Sequence, residues 1–528
     1  SLVGRFSALY DVYEHVLNWA LRHRKKILAS TFGVFAASLS LYFFIGTELL
    51  PVMDVGQFTV YIRAPSGTRV EKTEELISKV EETVREEIPP SELKMLISNI
   101  GVLYDWPAAY TPNSSPGDAF IEVQLSSKRK KSAQEYVQLL RGVFVEQFPG
   151  IGFAFNTGGL MTTALNFGLP SPINIQVEGR DMKTAHGIAL EVKEVVRGVP
   201  GAADVRVQQN LDYPQIDIDI DRIKAAYLGI TQENIVKNIV TALNSSINFS
   251  PAFWIDYVTG NHYFVGAQYL EEDINSMETL DNIPITSSVQ KEPILLKNIA
   301  KFERITAPVE VGHLNIRRVI DVYANVFGRD VGSVARDIEK RLKKLHLPEG
   351  YSVNMRGEVS SMRESFKGFG FGMILAVILV YLALVAQFRS FLDPFIVMLA
   401  VPLGLMGVLW MLSITGTTLN VQSFMGTIMM VGIVVANSVL MVEFANRLWR
   451  EGSPVREAII TAAKVRVRPI LMTSLVTILA LTPLALRASA NMPLARAVIG
   501  GLIVSTFLTL VLVPVLYILL KREKGAKT

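Results

Sequence analysis

The sequence predicts an α+β membrane protein. Six transmembrane helices are expected, with a large external domain of two βαββαβ units, the second split by an insertion, between the first and second. Three observations predict this. Uncharged apolar stretches long enough to cross a bilayer as helices occur once near the N-terminus and five times near the C-terminus. Half of the 528 residues are apolar and the mean hydropathy is +0.33, an average that a soluble chain of this length rarely reaches. Between the first two stretches, strand and helix periodicities follow one another in the same order twice.

The N-terminal element is an amphipathic helix. Phe6, Leu9, Tyr10, Tyr13, Leu17 and Ala20 share one helical face, and Arg22-His23-Arg24-Lys25-Lys26 follows directly before the uncharged stretch Ile27–Gly46. This order fits a helix over 1–26 lying on the membrane surface, with a soluble core helix as the alternative, and then a first crossing over 27–46. The chain begins at Ser1 without an initiator Met or a signal peptide, as expected of a trimmed chain or a piece of a longer one.

The external segment begins with a strand over Gln57–Ala64, where apolar and polar residues alternate. A helix over Val70–Ile88, strands over Leu93–Ile100 and Ala119–Leu125, a helix opened by Ser132 with Glu135 three residues on, and a strand over Gly152–Asn156 complete the unit 53–157. The order β-α-β-β-α-β is that of a ferredoxin-like split βαβ. It repeats as strand Ile173–Val177, helix Met182–Val196 and strand Asp204–Val207, then after a delay as strand Val319–Val326, helix Val331–Leu345 and strand Ser352–Met355. The second unit is thus 158–211 with 311–360, and 212–310 is an insertion.

Five further crossings are expected within 367–520: Gly368–Phe388, Pro394–Leu412, Phe424–Val442, Pro469–Leu486 and Ala497–Leu520. Lys and Arg cluster before the first crossing, in the loop from Arg447 to Arg468, and in the tail 521–528. All three clusters fall on one side of a six-helix arrangement, and the positive side is cytoplasmic. Small residues (Gly426, Gly432, Ala436 and Ser438) line the helix at 424–446 and permit close packing in lipid. Glu443 is the only ionisable side chain from Met398 to Asn446. An intramembrane carboxylate is a functional candidate; the plainer reading is that it reaches the interface and pairs with Arg447.

Composition excludes several classes of function. A net charge of +4 gives no argument for nucleic acid, and the absence of cysteine excludes disulfides, thiolate metal sites and Cys nucleophiles. The six histidines never fall at metal-ligand spacing, there is no nucleotide-binding glycine loop, and no catalytic constellation marks an enzyme. Asp217, Asp219 and Asp221 share a strand face, which fits a solvated face, with a hard-cation site as the alternative. Lys128-Arg129-Lys130-Lys131 reads as a solvated turn or a docking patch. Leu103, Tyr104, Trp106, Tyr110 and Phe120 surround a loop rich in Pro, Gly, Ser and Asn; they either pin that loop or wall a site for apolar molecules. No crossing carries a central Asp, Glu, Lys or His, so the chain alone shows no proton wire.

Five motifs resemble the C-terminal half of a resistance–nodulation–division (RND) efflux transporter: Pro65-x-Gly67-Thr68, LVAQFRSFLDPF at 384–395, VPLGLMG at 401–407, GIVVANSVLMVEFAN at 432–446 and RVRPILMTSL at 466–475. The multidrug branch, which exports hydrophobic or amphiphilic compounds, fits better than the heavy-metal branch. The resemblance implies that 53–157 and 158–211 with 311–360 are periplasmic porter subdomains and that 212–310 is a docking subdomain. It also implies an inner-membrane location with both termini cytoplasmic. The loop at 103–120 then falls where the family lines its distal pocket, with Phe120 the best-aligned residue.

Asn437, Arg466 and Thr473 match positions associated with the family's proton relay, whereas Ala436 stands where multidrug members often carry a lysine. The relay's aspartate pair belongs to the N-terminal half. The implied partners are therefore such a half, a periplasmic adaptor, an outer-membrane channel and membrane lipid, in a trimer driven by the proton-motive force, with no cofactor, metal or nucleic acid. The alternative is a non-pumping six-span accessory subunit of an export or assembly complex.

Overall fold

The computed structural model describes residues 2–51, 53–102, 112–158, 166, 168–287 and 289–521. The chain forms two compact units, Ser1–Gln209 with Glu310–Thr528, and Asn210–Val309.

The first unit opens with helices α1 (Leu2–Arg22) and α2 (Arg24–Leu41). Tyr13, Leu17, Ala20 and Leu21 of α1 are buried, and the Tyr13 hydroxyl donates to the Leu510 carbonyl at 2.9 Å. The surface helix thus has a packed inner face, while Val12, Val16 and Trp19 stay exposed.

A four-stranded antiparallel sheet follows, built from β1 (Gln57–Arg63), α3 (Val70–Glu87), β2 (Leu93–Ile100), β3 (Asp118–Leu125), α4 (Ala133–Gln147) and β4 (Gly152–Asn156), in the order β2-β3-β1-β4. Alternation sends Phe58, Val60 and Ile62 of β1 inward against Ile77, Val80 and Val84 of α3. Ser132 and Glu135 form the expected capping box at the start of α4.

The second sheet combines β5 (Ile173–Glu178), α5 (Met182–Arg197), β6 (Ala202–Val207), β13 (Gly312–Leu314), β14 (Arg317–Val326), α9 (Val331–Leu342) and β15 (Ser352–Gly357). β14 pairs with both β5 and β6, and β5 pairs with β15, all antiparallel. The strand order of the first sheet is thereby repeated, although its chain is interrupted.

The second unit holds β7 (Tyr213–Ile220) paired with β12 (Ala300–Ala307), helices α6 (Arg222–Tyr227), α7 (Gln232–Asn244) and α8 (Met277–Asp281), hairpin β8 (Ala252–Ile255) with β9 (His262–Val265), and the short pair β10 (Pro284–Ile285) and β11 (Ile294–Leu295). Ile230, Ile235, Ile283, Ile285, Leu296 and Ile299 form its core. Asp217 and Asp219 are exposed, whereas Asp221 caps α6 by accepting from the Lys224 N–H at 3.0 Å. Three aspartates on one strand face therefore do not form a cluster.

The apolar bundle comprises α10 (Glu358–Phe388), α11 (Leu392–Met398), α12 (Ala400–Ile414), α13 (Val421–Arg450), α14 (Val455–Leu486) and α15 (Met492–Leu520). Among the described residues, five helical segments are long and apolar enough to cross a membrane. The expected first crossing at 27–46 is not among them. Its helix, α2, has 18 residues and begins with Arg24, Lys25 and Lys26. The expected crossing over 394–412 lies within one of the five, Leu392–Ile414, whose helix is interrupted at Leu399. Pro402 explains the break, because it offers no N–H to the carbonyl of Met398 and its ring crowds that group.

Small residues set the closest approaches. A Cβ on Gly407 would strike the Gly500 carbonyl oxygen, and Cβ atoms on Gly404 or Gly501 would strike Met430. Gly426 and Ser438 of α13 are packed inside, but an added Cβ on Gly432 meets nothing within 4 Å and Ala436 is exposed. The expected small-residue seam therefore divides between two faces. Arg447 turns to Glu451 at 3.1 Å rather than to Glu443.

Candidate functional site

Two of the places where polar groups come together bear on function. The first is a cavity of about 340 Å³ between the two sheet modules and the start of the bundle. The segment after α2 forms one wall, where Thr47 makes a parallel bridge to Leu419 in the α12–α13 turn. The Leu419 N–H donates to the Gly46 carbonyl at 2.8 Å and the Glu48 N–H to the Leu419 carbonyl at 3.1 Å. On the other side, the Thr47 N–H donates to Asp330 at 2.8 Å, and the Gly332 N–H donates to the Thr47 carbonyl at 2.9 Å. Asp330 also caps α9, accepting from the Ser333 N–H at 2.7 Å. One extended segment thus ties the bundle to the second module.

Glu48 and Glu358 both line this cavity. The Thr418 hydroxyl donates to Glu48 at 3.1 Å, and the Leu49 N–H serves the Glu358 carboxylate. Burial pushes Glu48 up to about 7; the Thr418 hydrogen bond opposes this, while the Glu358 and Asp330 charges add to it.

On the opposite wall, Arg141 grips Asp204 through two bonds of 2.9 Å. Asp204 also accepts from the Phe155 N–H at 3.1 Å and the Asn325 amide at 2.8 Å. This network joins α4 and β4 of the first module to β6 and β14 of the second. Beyond the cavity, Arg63 extends the join by donating to the carbonyls of Val207 and Gln208 at 3.1 and 2.9 Å. Arg206 lies between the rings of Tyr61 and Tyr323, at 5.7 and 5.3 Å.

The second place is the α13–α14 seam. The Thr473 hydroxyl donates to the Asn437 side-chain oxygen at 3.3 Å, and the Arg466 guanidinium lies 5.5 Å from the Phe444 ring centroid. The Arg466 Nε is buried without a hydrogen-bond partner among the described residues. Asn437, Arg466 and Thr473, matched by the resemblance to relay-associated positions, lie on α13 and α14, with two helical turns separating Arg466 from Thr473.

Of the residues expected to bind apolar molecules, Leu103, Tyr104, Trp106 and Tyr110 lie outside the described residues. Phe120 is half-buried on β3, opposite Tyr61 and Asn99, and does not line the cavity. Sequence reasoning missed Glu48, Arg141, Asn166 and Glu358. The one available signal was a carboxylate flanking each of two apolar stretches.

The AcrB/AcrD/AcrF family model matches residues 4–521. The chain belongs to this family, the RND transporters. It is 26% identical to the cobalt-zinc-cadmium resistance protein CzcA of Cupriavidus metallidurans, over 97% of this chain and 48% of that protein. It is 25% identical to the multidrug resistance protein MdtC of Yersinia pestis, over 98% of this chain and 49% of that protein. A crystal structure of a heavy metal efflux pump superposes with a TM-score of 0.81 at 26% identity, covering 98% of this chain and 53% of that one. This RND chain spans about half the length of the curated relatives it matches. Its relatives include heavy-metal and multidrug proteins, so membership alone does not select the multidrug branch.

Proposed function

We propose that this RND chain is the C-terminal-type half of a proton-driven pump that exports amphiphilic compounds from the periplasm or inner membrane. The observation that carries this reading is the cavity. Its wall is formed by apolar groups such as Leu49, Leu50, Val137, Phe155, Leu169 and Phe327, interrupted by a few polar ones, which is the make-up of a site for organic molecules. Among the described lining residues the one sulfur is that of Met53 and none is histidine, whereas zinc-type ions favour imidazole and thiolate ligands. In this reading both sheet modules are ferredoxin-like porter subdomains, as the shared strand order supports. The unit Asn210–Val309 is the docking subdomain, and α2 with its following turn is a sixth crossing. Both termini are cytoplasmic, and the aromatic loop around Phe120 forms a second, distal pocket.

The α13–α14 seam supports the need for a partner half. Gly432 and Ala436 leave a shallow exposed face on α13. A second half bearing an intramembrane aspartate pair covers that face. The working assembly is a trimer joined to a periplasmic adaptor and an outer-membrane channel.

The test is the intact-mass inventory of the complex purified from native membranes, followed by export assays. The expected result is this sequence joined to, or accompanied by, an RND half with membrane aspartates whose replacement abolishes amphiphile export. A complex holding only this half, with no export, would instead establish a non-pumping accessory subunit.

A further inference from the structure

Helix α9 lies at the level where two helices leave the bundle. Its Gly332 faces Thr47, since an added Cβ would strike the Thr47 hydroxyl, and Thr47 follows the end of α2. Tyr42, Phe43 and Phe44 at that end are exposed, the last two by 74% and 82%, as aromatic anchors at a bilayer surface are. Further along α9, Glu339 accepts from Arg363 of α10 at 2.6 Å. Arg363 precedes the uncharged run that begins at Gly368 by five residues, about 7.5 Å of helix. A headgroup layer is about 6 Å thick. The two ties therefore set α9 at the bilayer surface.

Between and beyond these ties α9 carries cations on the same side. Gly332, Arg336, Glu339 and Lys343 recur at i, i+4, i+7 and i+11, which is one helical stripe, and the backbone is still helical at Lys343. Arg336 and Lys343 are exposed and make no ion pair among the described residues. Arg336 donates to the Ser333 hydroxyl at 2.9 Å. The carboxylates beside them are engaged: Asp337 faces Arg329 at 2.8 Å and Lys340 at 3.9 Å, and Glu339 holds Arg363. Glu364 is exposed but stands about 100° around α10 from Arg363.

Helix α10 continues the pattern toward the bilayer interior. Arg363, Lys367, Phe371, Ile374 and Ile378 fall within about 80° of one another around the helix. All five are exposed, Phe371 by 72% and Ile374 by 60%. Lys367 makes no ion pair among the described residues. Cations thus stand at the top of the stripe and bare apolar side chains below them.

We propose that this corner holds an anionic phospholipid, its phosphate between Arg336, Lys343 and Lys367 and its acyl chains along Phe371, Ile374 and Ile378. The site rests on α10 crossing the bilayer and not on what is exported, and it lies outside the cavity. Basic side chains beside a bilayer attract anionic lipid. A zwitterionic headgroup adds an ammonium that the same cations repel. A soluble anion satisfies the cations but leaves the apolar stripe bare.

The experiment titrates the full chain in detergent with dioleoyl phosphatidylglycerol, dioleoyl phosphatidylcholine and glycerol 1-phosphate, and reads the first adduct by native mass spectrometry. Phosphatidylglycerol is expected to bind about tenfold tighter than phosphatidylcholine, the scale of a few basic side chains at a headgroup. Arg336→Gln/Lys343→Gln should remove that preference, while retained phosphatidylcholine adducts and an unchanged thermal midpoint show that the variant is folded. Phe371→Ser/Ile374→Ser should weaken both lipids. Lys25→Gln/Lys26→Gln, in the basic run before α2, should leave the first adduct unchanged. A preference that survives Arg336→Gln/Lys343→Gln, or that is lost in Lys25→Gln/Lys26→Gln instead, overturns the site. Glycerol 1-phosphate binding as tightly as phosphatidylglycerol overturns the lipid as occupant, and so does retention of neither lipid because a second RND half covers the stripe. The adduct is read without export, so a failed export assay overturns the pump reading alone.

Discussion

At the scale of single residues, contacts that allow no added atom matter most. Gly407 and Gly500 let α12 and α15 touch backbone to backbone, and the nearest obstacle to a methyl group is a carbonyl that cannot rotate away. Gly407→Ala is therefore expected to cost about 1–3 kcal/mol through overpacking, seen as a lower thermal midpoint in detergent. Gly432→Ala, with open space around it, should leave that midpoint unchanged and should instead weaken association with a second RND half. Glu48 makes a prediction of opposite sign to a paired carboxylate. Its folded pKa lies above the ordinary 4.5, at about 7, so the folded chain holds that proton more tightly than the unfolded one. The resulting stabilisation is complete below about 4.5 and is lost as pH rises through about 7. Glu48→Gln should thus raise the thermal midpoint above neutral pH, and the gain should vanish in acid.

At the scale of elements, local chemistry was legible where it was local. The capping box at Ser132 and the alternation in β1 are written in a few consecutive residues. The crossing expected over 394–412 lies within the span Leu392–Ile414, but its interruption at Leu399 was not foreseen, because apolar length says nothing about Pro402 as a helix breaker. The sequence did not say which face Gly432 occupies, and within this chain that face is open. The Arg141–Asp204 strut was illegible, since α4 meets β6 only through the tertiary fold. It makes its own prediction. Asp204 has a side-chain exposure of 5%, so Arg141→Ala strands a buried charge. The expected loss is on the order of 3 kcal/mol, measured by thermal unfolding, and Asp204→Asn in the same background should recover part of it.

At the scale of the whole molecule, sequence order gave the two sheet modules, the insertion and the apolar bundle, because each is a long periodic pattern. Motif matches at Asn437, Arg466 and Thr473 drew attention to α13 and α14, where Thr473 donates to Asn437. The cavity was not legible, since Glu48, Asn166 and Glu358 come from three distant stretches and none carries a motif. The tie at Thr47 has a mechanical consequence. A free loop between bundle and sheets would absorb a helix displacement as slack, whereas this segment is clamped on one side by Leu419 and on the other by Asp330 and Gly332. A tilt of the α12–α13 turn therefore arrives at the cavity wall as torque, with Glu48 on the lever arm.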